Sequence, residues 1–182
     1  MRAFIAVDIE PSRATVRLLK SLGATRAKVR VVPAENLHIT LKFLGETDDG
    51  LVPFLQEALG AAVEEEDPFT LALRGSGSFP NRRNPRVLWI GVQGGEPLVR
   101  MAKRLERTLQ ELGFERERRR FTPHLTVGRV KSRRDLEGLT ELLETHRDDA
   151  FGTQRVADLR LKRSELGPRG ALYHDVLRVP LG

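Results

Sequence analysis

Cysteine is absent from this 182-residue chain. That excludes disulfides, thiolate nucleophiles and cysteine-built zinc sites, and a cytoplasmic location is the expectation. Nowhere do about 18 apolar residues follow one another, so no membrane span is expected. The apolar run Phe4–Ile9 is too short for a signal peptide and reads as a strand. Aromatic residues make up only 5% of the chain, which argues against a long base-stacking platform and leaves room for a few stacked bases. Histidine is scarcer still, at four residues.

What the chain has in excess is positive charge. Lys and Arg number 31 against 25 Asp and Glu, a net charge of +6 carried mainly by arginine. Such a balance favours polyanionic partners, nucleic acid above all, and the planar guanidinium suits phosphate better than an ammonium does. A basic surface also serves solubility, so charge alone names no partner.

Two of the four histidines share one context. Asn36-Leu37-His38-Ile39-Thr40-Leu41-Lys42-Phe43 and Thr122-Pro123-His124-Leu125-Thr126-Val127-Gly128-Arg129 both read His-aliphatic-Thr-aliphatic. The period of two predicts half-buried strands. Residues i and i+2 of a strand share a face, so each copy sets a His and a Thr side by side, with aliphatic side chains facing the core. A lone strand histidine is usually a surface or core residue. The repetition is what makes these two a candidate site.

Periodicity predicts the order strand, helix, strand, His strand, helix, strand, strand, helix, His strand, helix, strand, strand. The helices are expected over 13–22, 48–66, 97–112 and 134–146, and the last two strands over 155–162 and 171–179, joined by a turn at Gly167-Pro168-Arg169-Gly170. Gly75–Pro80 and 81–85 read as a loop. A bare Gly-x-Gly there is a weak phosphate-cradle signal, and a turn is the better reading. Each half holds two helices and a His strand followed by a helix. The expected fold is therefore α+β, with two pseudo-symmetric lobes. Each lobe is an antiparallel-rich sheet with helices outside, and the sheets face a central cleft. Residues 1–182 are expected to form a single two-lobed domain that arose by distant internal duplication.

Two imidazoles flanking one reactive atom serve as general acid and general base, because a pKa near 6.5 keeps both protonation states accessible. Threonine hydroxyls beside them reach the non-bridging oxygens of an anionic tetrahedral centre. Together these groups describe phosphoryl transfer. A metal is the rival use of paired histidines, but neither has a partner at metal-motif spacing and no cysteine assists. No metal or other cofactor is expected.

These stretches resemble the two-histidine (HxTx) phosphoesterase superfamily, most closely its RNA 2′,3′-cyclic phosphodiesterase / 2′-5′ RNA ligase family. The resemblance covers nearly the whole chain. Beyond the two motifs it includes Arg2–Ala6, Phe79-Pro80, Pro85–Trp89 and the tail from Leu161 to Tyr173. It implies hydrolysis of a terminal 2′,3′-cyclic phosphate on RNA to a 2′-phosphate, and reversible 2′-5′ joining of RNA ends, without metal or nucleotide cofactor. It makes His38 and His124 the acid–base pair, and Thr40 and Thr126 the ligands of the phosphate oxygens. His124 is assigned as base and His38 as acid, an assignment that near two-fold symmetry leaves open. RNA ends are the expected partner, the membrane is not, and a monomer is expected.

Arg129 and Phe43 are substrate-binding candidates on the same resemblance. Each lies an odd number of residues beyond its histidine, and regular strand geometry would turn both to the opposite face. For Arg129, a bulge at Gly128 would restore the cleft face. For Phe43, the alternation reads a core residue, against the base-stacking neighbour that the resemblance implies. Arg116–Arg120 guides RNA or is a solvated charge run. His146 is expected to answer a helix dipole, His174 to be structural, and Tyr173 to line the cleft. Two other functions compete: a phosphodiesterase for small cyclic nucleotides or 2′-5′ oligoadenylates, and a non-catalytic RNA-binding module.

Overall fold

The computed structural model describes all 182 residues. In chain order they form β1 (Arg2–Asp8), α1 (Arg13–Ala24), β2 (Val29–Val31), β3 (His38–Glu46), α2 (Val52–Val63), β4 (Phe69–Pro80), β5 (Pro85–Gln93), α3 (Glu96–Glu111), β6 (His124–Val130), α4 (Glu137–Thr145), β7 (Ala150–Val156), β8 (Asp158–Gly167) and β9 (Gly170–Pro180). The helices follow local chemistry. Ser12 caps α1, its hydroxyl accepting from the Thr15 amide at 3.1 Å and donating to the Phe151 carbonyl at 2.8 Å. α3 starts with Pro97 in its first turn and buries the stripe Leu98, Met101, Leu105 and Leu109.

The strands form two antiparallel sheets, ordered β3-β1-β8-β9 and β2-β6-β5-β4-β7. Each sheet holds one histidine strand, and the expected α+β architecture is the one found. The sheets nevertheless do not divide the chain into halves. β2, from the first half, pairs with β6, while β8, from the second, pairs with β1. The helices cross over too: α1 packs on β2, β6 and β7, whereas α3 packs on β3 and α2. One continuous apolar core joins both layers, running from Ile5, Leu18 and Ile39 to Leu88, Leu125 and Leu161.

Three expectations are corrected. Gly75–Pro80 is not a loop: it continues β4, with Gly77 opposite Trp89 and Phe79 opposite Val87. Gly77 is needed because a Cβ there would lie 2.4 Å from the Trp89 ring, so close approach of two strands, rather than a turn, explains the glycine. β7 went unforeseen and the strand expected at 155–162 is split. Arg155 and Val156 end β7, and β8 starts at Asp158. β7 is an edge strand burying only Phe151 and Val156, so its apolar signal is thin. The helix expected over 48–66 is shorter, one 3₁₀ turn at Asp49–Leu51 leading into α2. The turn at 167–170 is confirmed as the β8–β9 hairpin, Gly167 paired with Gly170.

Candidate active site

β3 and β6 present their motifs in the same way. On β1, the residues opposite His38, Thr40 and Phe43 are Asp8, Ala6 and Phe4, a regular alternation of one face. On β5, the residues opposite His124, Thr126 and Arg129 are Gly91, Trp89 and Val87, again one face. An even step on the partner strand against an odd step on the motif strand requires one extra residue. That residue is Leu41 in β3 and Val127 in β6, each three positions beyond its histidine. Both motif strands thus carry a β-bulge at the same offset, which turns the fifth residue back to the His-Thr face.

The bulges settle where Arg129 and Phe43 point. Arg129 is exposed on the His124 face, turned there by a bulge whose extra residue is Val127 rather than the expected Gly128, which pairs with Leu88. Phe43 is 66% exposed and therefore not a core residue. Its ring stands 6.2 Å from that of Phe4, which in turn lies 4.9 Å from the His38 imidazole. Tyr173 meets His38 edge-on at 5.2 Å, lining the cleft as expected. On the other side Phe79 meets His124 edge-on at 5.1 Å and packs against Trp89. Half of the ten aromatic side chains (eight Phe, one Trp, one Tyr) surround the two histidines, so the scarcity noted in the sequence is a concentration at one place.

Both imidazoles are held alike. His38 Nδ1 is 2.7 Å from the Asn36 carbonyl and His124 Nδ1 is 2.9 Å from the Thr122 carbonyl. A carbonyl only accepts, so Nδ1 carries the hydrogen in each ring. Nε2 is left as the titrating atom in both, a lone pair when the ring is neutral and a donor when it is charged.

Burial holds the His38 imidazole below its ordinary pKa, and the Lys162 and Arg129 charges push the same way. The bond to the Asn36 carbonyl and the Asp8 carboxylate oppose them. β3 packs against β6, which brings the two motif strands together at one cleft. The Lys42 ammonium ties β3 to α3 and the segment after it, donating to the Glu115 carbonyl at 2.7 Å and pairing with Glu106. Lys162 lies in the cleft floor opposite Phe4, bound to Asp8 at 2.8 Å and Asp175 at 2.7 Å, with Arg160 completing the cluster.

The remaining candidates separate from this site. His146 ends α4 and binds Asp149 through Nδ1 at 2.6 Å. His174 is 3.5 Å from Glu165 on the β8–β9 hairpin. The run Arg116–Arg120 is exposed and partly organised by Glu117, whose carboxylate accepts from the Arg119 amide. The Asp8–Lys162–Asp175–Arg160 cluster was missed from sequence. Its signal was present as charged residues alternating along β8, which is unusual for a strand in the middle of a sheet. No three His, Asp or Glu side chains converge to hold a metal ion.

The fold is shared with a solved phosphoesterase, which superimposes with a TM-score of 0.69 at 25% identity, covering 99% of this chain and 97% of that one. The model of the 2′-5′ RNA ligase superfamily matches residues 8–167, and the chain belongs to that family. A protein of Archaeoglobus fulgidus named RNA 2′,3′-cyclic phosphodiesterase is 41% identical, over 97% of this chain and 98% of its own. One of the same name from Methanothermobacter thermautotrophicus is 38% identical, over 97% of this chain and 96% of its own. Among solved structures, that of TT0787 from Thermus thermophilus superimposes with a TM-score of 0.79 at 30% identity, covering 100% of this chain and 98% of that one.

Proposed function

We propose that the chain is an RNA 2′,3′-cyclic phosphodiesterase that hydrolyses the terminal cyclic phosphate to a 2′-phosphate without a metal ion. The observation that carries this is the pair of imidazoles with Nδ1 tied to a main-chain carbonyl and Nε2 free on one cleft. Water attacks phosphorus opposite O3′ while one histidine takes its proton. The P–O3′ bond breaks and the other histidine protonates the departing O3′, leaving the phosphate on O2′. Thr40 and Thr126 donate to the non-bridging oxygens, and Arg129 balances their growing charge. A 5′-hydroxyl in place of water gives a 2′-5′ linkage by the same proton transfers, so end joining needs no further group.

His38 suits the acid role and His124 the base role. An imidazolium whose pKa is held down is the stronger donor to an alkoxide, and an arriving phosphate anion raises its protonated fraction. The relatives' name, RNA 2′,3′-cyclic phosphodiesterase, supports the substrate. The repeated bulge and repeated Nδ1–carbonyl bond support a single unit, residues 1–182, built by internal duplication.

The test is incubation in excess EDTA with an RNA ending in a 2′,3′-cyclic phosphate, followed by identification of the product isomer. Turnover to the 2′-phosphate is expected. Activity lost on chelation and restored by a divalent ion would overturn the metal-free mechanism. A 3′-phosphate product would reverse the leaving oxygen.

A further inference from the structure

Arg30 lies directly opposite Arg129 in the antiparallel β2–β6 pair, on the same face. Since Arg129 faces the cleft, Arg30 extends that face by one strand. Directly opposed like charges destabilise a strand pair, and neighbouring strands lie only about 4.8 Å apart. Both residues are exposed, and neither guanidinium forms an ion pair or a hydrogen bond within the chain. Elsewhere the molecule neutralises its clustered cations: Arg100 and Arg104 share Glu66, Lys42 has Glu106, and Arg160 and Lys162 share Asp8 and Asp175. The Arg30–Arg129 pair is left for something outside the protein.

The surroundings give a direction. Beyond Arg129 the ends of β5 and β6 enclose a hollow of about 260 Å³ lined by Arg86, Lys131 and Arg133 and by no carboxylate. The Lys131 amide donates to the Lys28 carbonyl at 2.8 Å, which joins this hollow to the β2 edge. Beside Phe43 the larger hollow, about 480 Å³, is lined by Glu46, Asp48 and Glu115 and by no cation. A polyanion leaving the cleft is drawn to the first and repelled by the second.

We propose that Arg30 binds the internal phosphodiester preceding the terminal cyclic phosphate. The RNA body then leaves over the β2–β6 edge toward Arg86, Lys131 and Arg133. This deepens the cyclic phosphodiesterase reading and rests on it. Arg30 becomes the residue that separates an RNA end from a mononucleotide, because a mononucleotide has no phosphate to offer it. Arginine suits the position, since its planar fork grips a phosphate through two parallel bonds.

The test compares kcat/KM for a 2′,3′-cyclic mononucleotide and for a short oligonucleotide ending in 2′,3′-cyclic phosphate, in wild type and Arg30→Gln. Arg30→Gln is expected to lose about tenfold on the oligonucleotide and less than about twofold on the mononucleotide. The slope of log(kcat/KM) against log salt for the oligonucleotide should flatten by about one. Arg118→Gln and Arg119→Gln, in the exposed basic run ahead of β6, should leave that slope unchanged. Equal losses on both substrates, no loss on either, or flattening in the Arg118 and Arg119 variants instead would each overturn the proposal. Wild-type protein that turns over neither substrate would sink the activity reading rather than the subsite. Arg30 would still be decided by fluorescence anisotropy of a labelled RNA ending in a 3′-phosphate, with the same variants across the same salt series. Weaker binding with a flatter slope for Arg30→Gln supports the subsite, and unchanged binding overturns it.

Discussion

Phe43 and Arg129 occupy the same strand position, five residues beyond their histidines and turned to the cleft by bulges at matching places. The backbone around the site is therefore nearly symmetric, while the side chains it displays are not. One end offers an aromatic ring, 66% exposed, and the other a guanidinium. A substrate with one charged end and one flat apolar group binds such a cleft in one orientation only.

Arg129→Ala should leave the fold intact, because the side chain is exposed and unpaired. It should lower kcat/KM for a cyclic-phosphate RNA by about 10–10³-fold, as expected for a lost contact to a phosphate oxygen that gains charge in the transition state. Steady-state kinetics alongside a circular dichroism spectrum checks this. Unchanged kinetics would make Arg129 a solvated strand-end charge.

His38→Ala and His124→Ala should each abolish most turnover, with the double variant little worse than either. Groups serving one transition state lose their joint benefit when one is removed. His146→Ala and His174→Ala, bound to Asp149 and Glu165 away from the cleft, should keep near-normal rates. A folded His38→Ala protein with near-wild-type turnover would end the two-histidine mechanism.

The His38 pKa should move in opposite directions in two cleft variants. Lys162→Met removes a charge that lowers it, so it should rise; Asp8→Asn removes one that raises it, so it should fall further. Proton NMR titration of the imidazole reads both. In the pH profile of kcat/KM an acid must be protonated, so turnover falls as pH rises through its pKa. With His38 as acid, Lys162→Met therefore raises kcat/KM at the alkaline extreme of the profile and leaves the acidic extreme unchanged. A lower kcat/KM at the acidic extreme instead would exchange the two histidines' roles.

Glu66 anchors α2 to α3. It is 4% exposed and accepts from Arg100 Nε and Nη2, both at 2.8 Å, and from Arg104 Nη1 at 2.9 Å. Hydrogen bonds from Arg100, joined by its charge and by Arg104, hold the carboxyl below its ordinary pKa. With the folded pKa depressed, the stabilisation is complete above the unfolded value and is lost as pH falls through the folded one. Glu66→Gln should lower unfolding free energy by about 1–3 kcal/mol at neutral pH and by less in acid. Urea denaturation at two pH values measures this, and equal losses at both would contradict it.

The two His-x-Thr strands were legible because alternation is written residue by residue, and the helices because Leu98, Met101, Leu105 and Leu109 recur at helical spacing. The bulges were only half legible. Gly128 hinted at one, but Leu41-Lys42 carries no comparable mark, which is why Phe43 read as core. Gly75–Pro80 read as a loop because glycine and serine weaken local strand preference. Its pairing with β5 is a tertiary fact, decided by the room Gly77 leaves for Trp89. The exchange of β2 and β8 between sheets was hidden for a similar reason: element order does not name an element's partner.

Both catalytic candidates lean on main-chain oxygens, those of Asn36 and Thr122, rather than on a carboxylate side chain. No substitution at position 36 or 122 deletes a peptide carbonyl. The ring orientation and tautomer are thus shielded from point mutation in a way that a Ser-His-Asp arrangement is not. A change of side chain at either site leaves the poised pair of rings in place, so long as the strand entry keeps its path.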